Sequence, residues 1–309
     1  MAIAILSSDR DLQPWVTALK AIDPAIDVRL WPEDGPKDEV TFALCWQQPA
    51  GSLGEYPSLR CVSSMGAGVD HLLGDPALPA QVPVVRLVDP GLAQGMFEYV
   101  CAAAMAYFRE FDRYQVLQQQ RRWWPYIAPT MKNTTIGVMG LGQLGRYVAE
   151  KLAQLGFAVR GWSRSPKSIP EVETYHGAPQ LGEFLAPVNI LVCLLPLTAE
   201  TSEVLNRSLF DQLPTGACLI NVARGEHLVE ADLMAALDQG QLRGACLDVF
   251  QQEPLPADHP FWTHEKITVT PHCSSITDPR AVAPQVMENY RRMRQGQPLI
   301  NQVSRDKGY

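Results

Sequence analysis

The segment TTIGVMGLGQLGRYVAEKLAQLGF constrains the fold of this chain more than any other. An apolar run ends in Gly140-x-Gly142-x-x-Gly145, and a helical pattern begins at once, with Leu144, Val148, Leu152 and Leu155 on one face. Each glycine has a physical task. The first permits a tight turn, the second lets a pyrophosphate approach the backbone, and the third lets helix and strand pack closely. The free N–H groups and dipole at the start of such a helix favour phosphate. The expectation is a dinucleotide-binding βαβ unit, with Gly140, Gly142, Gln143, Leu144 and Gly145 at the cofactor. A tight packing turn, or a site for another Rossmann-type ligand such as a sulfonium methyl donor, is the alternative.

The residues after the next strand bear on which dinucleotide is bound. The acid that pairs with the ribose 2′-hydroxyl of NAD is expected roughly 20 residues past the glycines. From Gly142 that distance reaches Trp162, and the chain continues Ser163-Arg164-Ser165-Pro166-Lys167, with no acid before Glu171. A carboxylate would repel a 2′-phosphate, whereas Ser163, Arg164, Ser165 and Lys167 offer it donors, and guanidinium matches phosphate through its planar fork. NADPH is therefore expected as the preferred cofactor, with NADH as the alternative. The alternative is a solvated turn that happens to be basic.

Around this unit, short β-branched runs alternate with helical patterns. AIAILSS, VRLW, TFALCW, LRCVSSM and PVVRL suggest a small parallel α/β unit ending near residue 90. A long helical pattern runs from Leu92 to Gln118–Gln120, and the aromatic stretch RRWWPYIAPT comes next as loop packing or a subunit arm. TTIGVMG, FAVRGW, NILVCLL, ACLINVA, GACLDVF and ITVTPH form a second series, and DPRAVAPQVMENYRRMRQG reads as a helix with no strand after it. The simplest arrangement is a discontinuous domain, 1–97 plus 275–309, into which a dinucleotide domain, 98–274, is inserted.

The 309 residues suit two domains with adequate cores. A net charge of −7 argues against nucleic acid as a partner. The longest apolar run, ILVCLLPL, is too short to span a bilayer, and no basic-then-apolar leader opens the chain. The seven cysteines (Cys45, Cys61, Cys101, Cys193, Cys218, Cys246 and Cys273) are scattered, with no C-x-x-C. They read as reduced thiols of a cytoplasmic protein, and no metal site is expected.

Three polar residues fall at strand ends in the second series, where open α/β sheets bind ligands. Arg224 comes after LINVA, Glu253 lies in the loop after GACLDVF, and His272 comes after ITVTP. Singly, each is more often structural, but three on one sheet edge are hard to dismiss. Asp248 lies near the end of the strand that precedes Glu253.

With GLGQLG, LLPLTAET, LINVARGEHLVEADLMAAL, GACLDVFQQEPLP and VTPHCSS in this order and spacing, the chain resembles the D-isomer-specific 2-hydroxyacid dehydrogenases over nearly its whole length. The short chain, MGAGVDHLL, GWSRSPK and the terminal QVSRDKGY are similar to the branch of that family acting on glyoxylate and hydroxypyruvate. The resemblance implies two Rossmann-like α/β domains, a smaller flavodoxin-like substrate domain and the inserted dinucleotide domain, with the active site in the cleft between them, and a homodimer. It makes Arg224 the substrate-binding arginine, His272 the proton donor and Glu253 its partner. Ala67, Gly68 and Val69 match the loop whose N–H groups bind the substrate carboxylate. Leu195, Pro196 and Thr201 match the loop beside the cofactor, Val222 and Ala223 lead into Arg224 on the same side, and Asp248 matches a nicotinamide-side contact. The absence of an acid at Ser163-Arg164 departs from many members.

Reducing a 2-keto acid needs a hydride donor, a proton donor and a carboxylate anchor. These requirements fit NADPH, a His272 kept protonated by Glu253 and an orienting Arg224. Trp46 ends a small-domain strand and either caps a small substrate pocket or packs in the core. Two other functions fit the same residues: reduction of bulkier 2-keto acids such as phenylpyruvate, and dinucleotide sensing without catalysis. Acidic charge argues against the second as a corepressor.

Overall fold

A computed structural model describes residues 1–8, 10–127, 129–305 and 308. Ala128 of the aromatic stretch and Asp306, Lys307 and Tyr309 of the terminal QVSRDKGY lie outside the described residues. The chain forms two units, Met1–Gly91 with Thr277–Tyr309, and Leu92–Ile276. The crossings therefore fall after Gly91 and Ile276 rather than after 97 and 274. The helix Pro90–Phe108 explains the first difference, because its Met96, Val100, Ala104, Tyr107 and Phe108 all pack into the core of the second unit.

The first unit holds five parallel strands, β1 (Ala2–Leu6), β2 (Val28–Leu30), β3 (Val40–Cys45), β4 (Cys61–Ser64) and β5 (Val84–Val85), in the order β2-β1-β3-β4-β5. This is the flavodoxin-like order. Strand alternation sends Ile3, Ile5, Phe42 and Leu44 to one face, against Trp15 and Leu19 of the helix Gln13–Ile22 and Val282, Val286 and Tyr290 of the helix Pro279–Gln295. Ala2, Ala4, Leu6, Ala43 and Cys45 face Leu53, Tyr56 and Leu72 on the other side. Asp278 caps the returning helix by accepting from Arg280 N–H, with Pro279 in the first turn, and Gly296 ends it at φ 66°.

The second unit holds seven parallel strands, β6 (Thr135–Met139), β7 (Ala158–Ser163), β8 (Glu173–His176), β9 (Ile190–Cys193), β10 (Ala217–Asn221), β11 (Leu242–Leu247) and β12 (Ile267–Val269). Their order, β12-β11-β10-β9-β6-β7-β8, is the doubly wound dinucleotide pattern with one strand added. Chain direction across the sheet reverses between β6 and β9, which places the topological switch point directly after Met139 and Cys193.

Two elements differ from the sequence-based expectation. β8 was not foreseen, because ETYH is a polar edge strand with only Tyr175 buried. The helical pattern after Leu92 is also two helices, Pro90–Phe108 and Phe111–Gln119. Glu110 breaks it at φ 63°, with its carboxylate on Arg243 (2.7 Å) and Arg113 (2.8 Å). Arg243 also donates to the Tyr107 carbonyl at 3.0 Å, satisfying an acceptor at the helix end.

Candidate active site

The phosphate end is built by the turn after β6. Gly140 has φ 102°, and a Cβ there would lie 2.5 Å from the Leu194 carbonyl oxygen. The turn is thus pressed against the chain leaving β9, at the switch point. A Cβ at Gly145 would meet the Gly140 oxygen at 1.8 Å, so only glycine lets the helix Gln143–Gln154 start so near its strand. Gly142 is different, because a Cβ there would meet nothing within 4 Å. Open space lies over its backbone, and no side chain caps the helix N-terminus. An open cradle in front of uncapped N–H groups fits a pyrophosphate. Gln143 is exposed at the first helical position, while Leu144 is partly buried and packs on the core.

The end of β7 adjoins this turn, since Gly140 N–H donates to the Trp162 carbonyl at 2.8 Å. Ser163, the last β7 residue, is buried, and its hydroxyl donates to the Ser165 carbonyl at 2.8 Å. Arg164, Ser165 and Lys167 are exposed. On the loop after β9, Leu195 is buried, and the Thr201 hydroxyl donates to the Pro196 carbonyl at 2.6 Å and accepts from Thr198 N–H at 2.9 Å. Thr201 therefore shapes that loop from within.

Arg224, Asp248 and His272 come after the neighbouring strands β10, β11 and β12, and the backbone links their ends. Asp248 N–H donates to the Asn221 carbonyl (3.0 Å), and His272 N–H donates to the Asp248 carbonyl (2.8 Å). His272 Nδ1 lies 2.7 Å from Glu253 Oε2, and Glu253 Oε1 accepts from Phe250 N–H at 3.0 Å. One carboxylate oxygen is thus pinned to the backbone while the other orients the imidazole. His272 itself has φ 50°, a conformation rare for any residue with a side chain. Asp248 holds it there. Its fully buried carboxylate accepts from the Thr270 hydroxyl (2.6 Å), Cys273 N–H (2.9 Å) and Ser274 N–H (2.8 Å). The Tyr99 hydroxyl extends the network to Thr270 at 2.5 Å. Burial, and then the Asp248 charge, push the Cys273 thiol up, which keeps it neutral beside His272.

Arg224 is partly buried, and its Nη1 donates to the Ala223 carbonyl at 2.7 Å. Val222 and Ala223 are buried beneath it. Two residues that sequence reasoning did not single out shape its loop. Fully buried Asn221 donates to the Arg224 carbonyl (3.0 Å) and accepts from Ala223 N–H (3.2 Å). His227, also fully buried, accepts from Arg224 N–H at Nδ1 (3.2 Å) and reaches the Pro196 carbonyl from Nε2 (3.3 Å). A buried amide closing an apolar strand is the signal that was available for Asn221.

Gly225 is forced by packing, because a Cβ there would lie 1.9 Å from the Phe250 carbonyl carbon. Gly225→Ala is expected to displace the Arg224 turn and to destabilise the fold by about 1–3 kcal/mol, measured as a lowered Tm in thermal unfolding.

In the first unit, Trp46 directly succeeds β3 and is nearly buried, while Ala67, Gly68 and Val69 form the loop after β4. Among the described residues, no acceptor is paired with the backbone N–H of Ala67, Gly68 or Val69. Successive free N–H groups of this kind suit an anion. No group of His, Cys, Asp and Glu among the described residues is arranged to hold a metal, and no helix there is long and apolar enough to cross a membrane.

Residues 101–274 match the family described as D-isomer specific 2-hydroxyacid dehydrogenase, NAD binding domain. Over 304 residues the chain is 46% identical to a glyoxylate/hydroxypyruvate reductase A of Serratia proteamaculans, covering 96% of each chain. It also superposes on a D-isomer specific 2-hydroxyacid dehydrogenase of Xanthobacter autotrophicus solved with NADPH and MES, with a TM-score of 0.93, 42% identity and 100% and 99% of the two chains covered. An NADPH-dependent glyoxylate/hydroxypyruvate reductase of Sinorhizobium meliloti, solved with NADP and sulfate, gives a TM-score of 0.92 at 36% identity, with both chains fully covered. The glycine turn at the switch point, the three polar strand ends beside it and identity along nearly the whole length agree: this chain belongs to the D-isomer-specific 2-hydroxyacid dehydrogenase family.

Proposed function

We propose that the protein reduces small 2-keto acids, glyoxylate to glycolate and hydroxypyruvate to glycerate, with NADPH preferred over NADH. The 2.7 Å pair of His272 and Glu253 carries the proposal, because it stands on the ligand-binding edge of the sheet that bears the glycine turn. The names and NADP ligands of the relatives support the same substrates and cofactor. When bound, the dihydronicotinamide supplies hydride to the substrate carbonyl carbon. Gly140, Gly142, Gly145 and the helix start hold the pyrophosphate, and Ser163, Arg164, Ser165 and Lys167 hold the 2′-phosphate.

His272 presents Nδ1–H to Glu253 and delivers the proton on Nε2 to the carbonyl oxygen as negative charge develops there. Arg224 orients the substrate and stabilises that charge, and the N–H groups of Ala67, Gly68 and Val69 take the carboxylate. Asp248, on the nicotinamide side, also acts as a positioning residue, because its carboxylate accepts from Thr270, Cys273 and Ser274 around His272.

Rates with glyoxylate, hydroxypyruvate, pyruvate and phenylpyruvate, each with both cofactors, test the proposal. Fastest turnover of phenylpyruvate would overturn the small-substrate assignment, and no oxidation of NADPH with any of the four would favour a sensing protein. Glu253→Gln leaves one oxygen where the carboxylate has two, so either Phe250 N–H or His272 Nδ1 loses its acceptor. The imidazole is then no longer held in place, and kcat with glyoxylate should fall at least about tenfold. A kcat within about twofold of wild type would dissolve the pair's role.

We infer also that the protein is a cytoplasmic homodimer. Trp123 and Ile127 are almost wholly exposed and Trp124 largely so, an apolar arm suited to a second copy. None of the seven cysteines is in a disulfide, as suits a reducing compartment. Light scattering in solution tests the dimer.

A further inference from the structure

Within the second unit, the helix Pro90–Phe108 holds the segment that carries His272 at two places. Ser275 Oγ donates to the Leu92 carbonyl at 2.7 Å, and the Tyr99 hydroxyl meets Thr270 Oγ1 at 2.5 Å. Leu92, Gly95 and Tyr99 stand at i, i+3 and i+7, so they share one face of the helix. Gly95 lets the segment come close, because a Cβ there would lie 3.3 Å from Ser275 Oγ. His272, with its φ of 50°, stands between the two anchors.

Proton counting gives these contacts a direction. The Thr270 hydroxyl has a single proton and donates it to the Asp248 carboxylate at 2.6 Å. The Tyr99 phenol is therefore the donor to Thr270. Burial pushes that phenol up, so it keeps the proton it donates. The Cys246 thiol, also pushed up by burial, lies 3.3 Å from the phenol and is left to donate to its oxygen. Donors thus run from Cys246 through Tyr99 and Thr270 to Asp248, and hydrogen bonds aligned in this way polarise one another. Asp248 in turn grips the chain on both sides of His272, at Thr270 before it and at Cys273 and Ser274 after it.

We propose that Tyr99 and Thr270 are positioning residues for the proton donor: the helix Pro90–Phe108 splints the segment 270–275, and its hold on Thr270 and Asp248 sets where the His272 imidazole stands. Their effect therefore falls on the chemical step. A reacting group displaced by about 1 Å can lose on the order of a hundredfold in rate, which sets the scale.

This inference rests on the reading of His272 as the proton donor of a 2-keto acid reductase. Thr270→Val removes the hydroxyl at nearly the same shape, and Thr270→Ser keeps it. With glyoxylate, Thr270→Val should lower kcat about tenfold or more, while KM and the Kd for NADPH stay within about threefold. Thr270→Ser should recover most of that loss. Tyr99→Phe should cost about three- to tenfold in kcat, the worth of one hydrogen bond. Because Tyr99 acts through Thr270, the double variant should be slower than Thr270→Val by less than about twofold, whereas independent packing losses would multiply. A Thr270→Val kcat within about twofold of wild type, an equal loss in Thr270→Ser, or multiplied losses in the double variant would overturn the splint. If Thr270→Val no longer binds NADPH, Tyr99→Phe decides: a kcat lowered about threefold or more at constant KM supports the splint, and an unchanged kcat overturns it. A wild-type protein that reduces no 2-keto acid, or His272→Ala at near the wild-type rate, would instead bring down the reading beneath it.

Discussion

His272→Ala is expected to lower kcat with glyoxylate about a thousandfold, within the range for a lost general acid, while the Kd for NADPH stays within about twofold. His272 follows β12, an edge strand separated from β6 and β7 by β11, β10 and β9, and its Nδ1 is paired with Glu253. The loss should therefore fall on the chemical step rather than on cofactor affinity. The backbone complicates the variant, because residue 272 has φ 50°. His272→Asn is the companion, since asparagine tolerates this region well and carries no comparable acid. Both variants should be equally impaired, with NADPH binding by fluorescence reporting an intact fold. A kcat within about threefold of wild type in either would remove His272 from proton transfer.

The parts of the fold that were legible are those buried on both faces. In a doubly covered parallel sheet the central strands have no solvent side, so β1, β3, β9 and β10 stand out as continuous apolar runs. Where one neighbour is missing the signal fades. β8 pairs only with β7, and its ETYH carries one inward residue, which no periodicity could distinguish from loop. The break at Glu110 was hidden for another reason. Its cause is Arg243, far along the chain, and the local pattern on either side is helical.

The site divides the same way. Gly140, Gly142 and Gly145 were legible because their constraints are local, and Arg224, Glu253 and His272 because strand ends are where such sheets carry chemistry. What holds those side chains was not legible. Tyr99 meets Thr270 across 171 residues, and His227 spans from the Arg224 turn to Pro196. Trp46 was open between pocket and core, and the structure makes it nearly buried yet stacked with Arg10, a partner that spacing could not supply. For Asp248 the resemblance supplies a place on the nicotinamide side, and what it could not supply is the hold its carboxylate has on Thr270, Cys273 and Ser274.

Arg164→Ala is expected to cut kcat/KM for NADPH by roughly 10- to 100-fold, the worth of one or two charge-assisted hydrogen bonds, and to leave that for NADH within about threefold. The 2′-phosphate is all that distinguishes the cofactors, and Arg164 sits immediately past the last residue of β7, where the adenosine ribose is read. Since Arg164 and Lys167 are exposed, the preference should weaken as salt rises. The structure adds a carboxylate that the linear count from the glycines did not reach. Glu200, on the loop after β9, is held below the usual carboxylate range mainly by the Thr198 hydroxyl, and the Arg164 charge also contributes. An anion in the field of Arg164 opposes a second one, so Glu200→Gln should strengthen NADPH selectivity modestly, against the loss in Arg164→Ala. If Arg164→Ala left the NADPH-to-NADH ratio unchanged, the basic turn would be a solvated surface feature, and discrimination would have to arise elsewhere in the site.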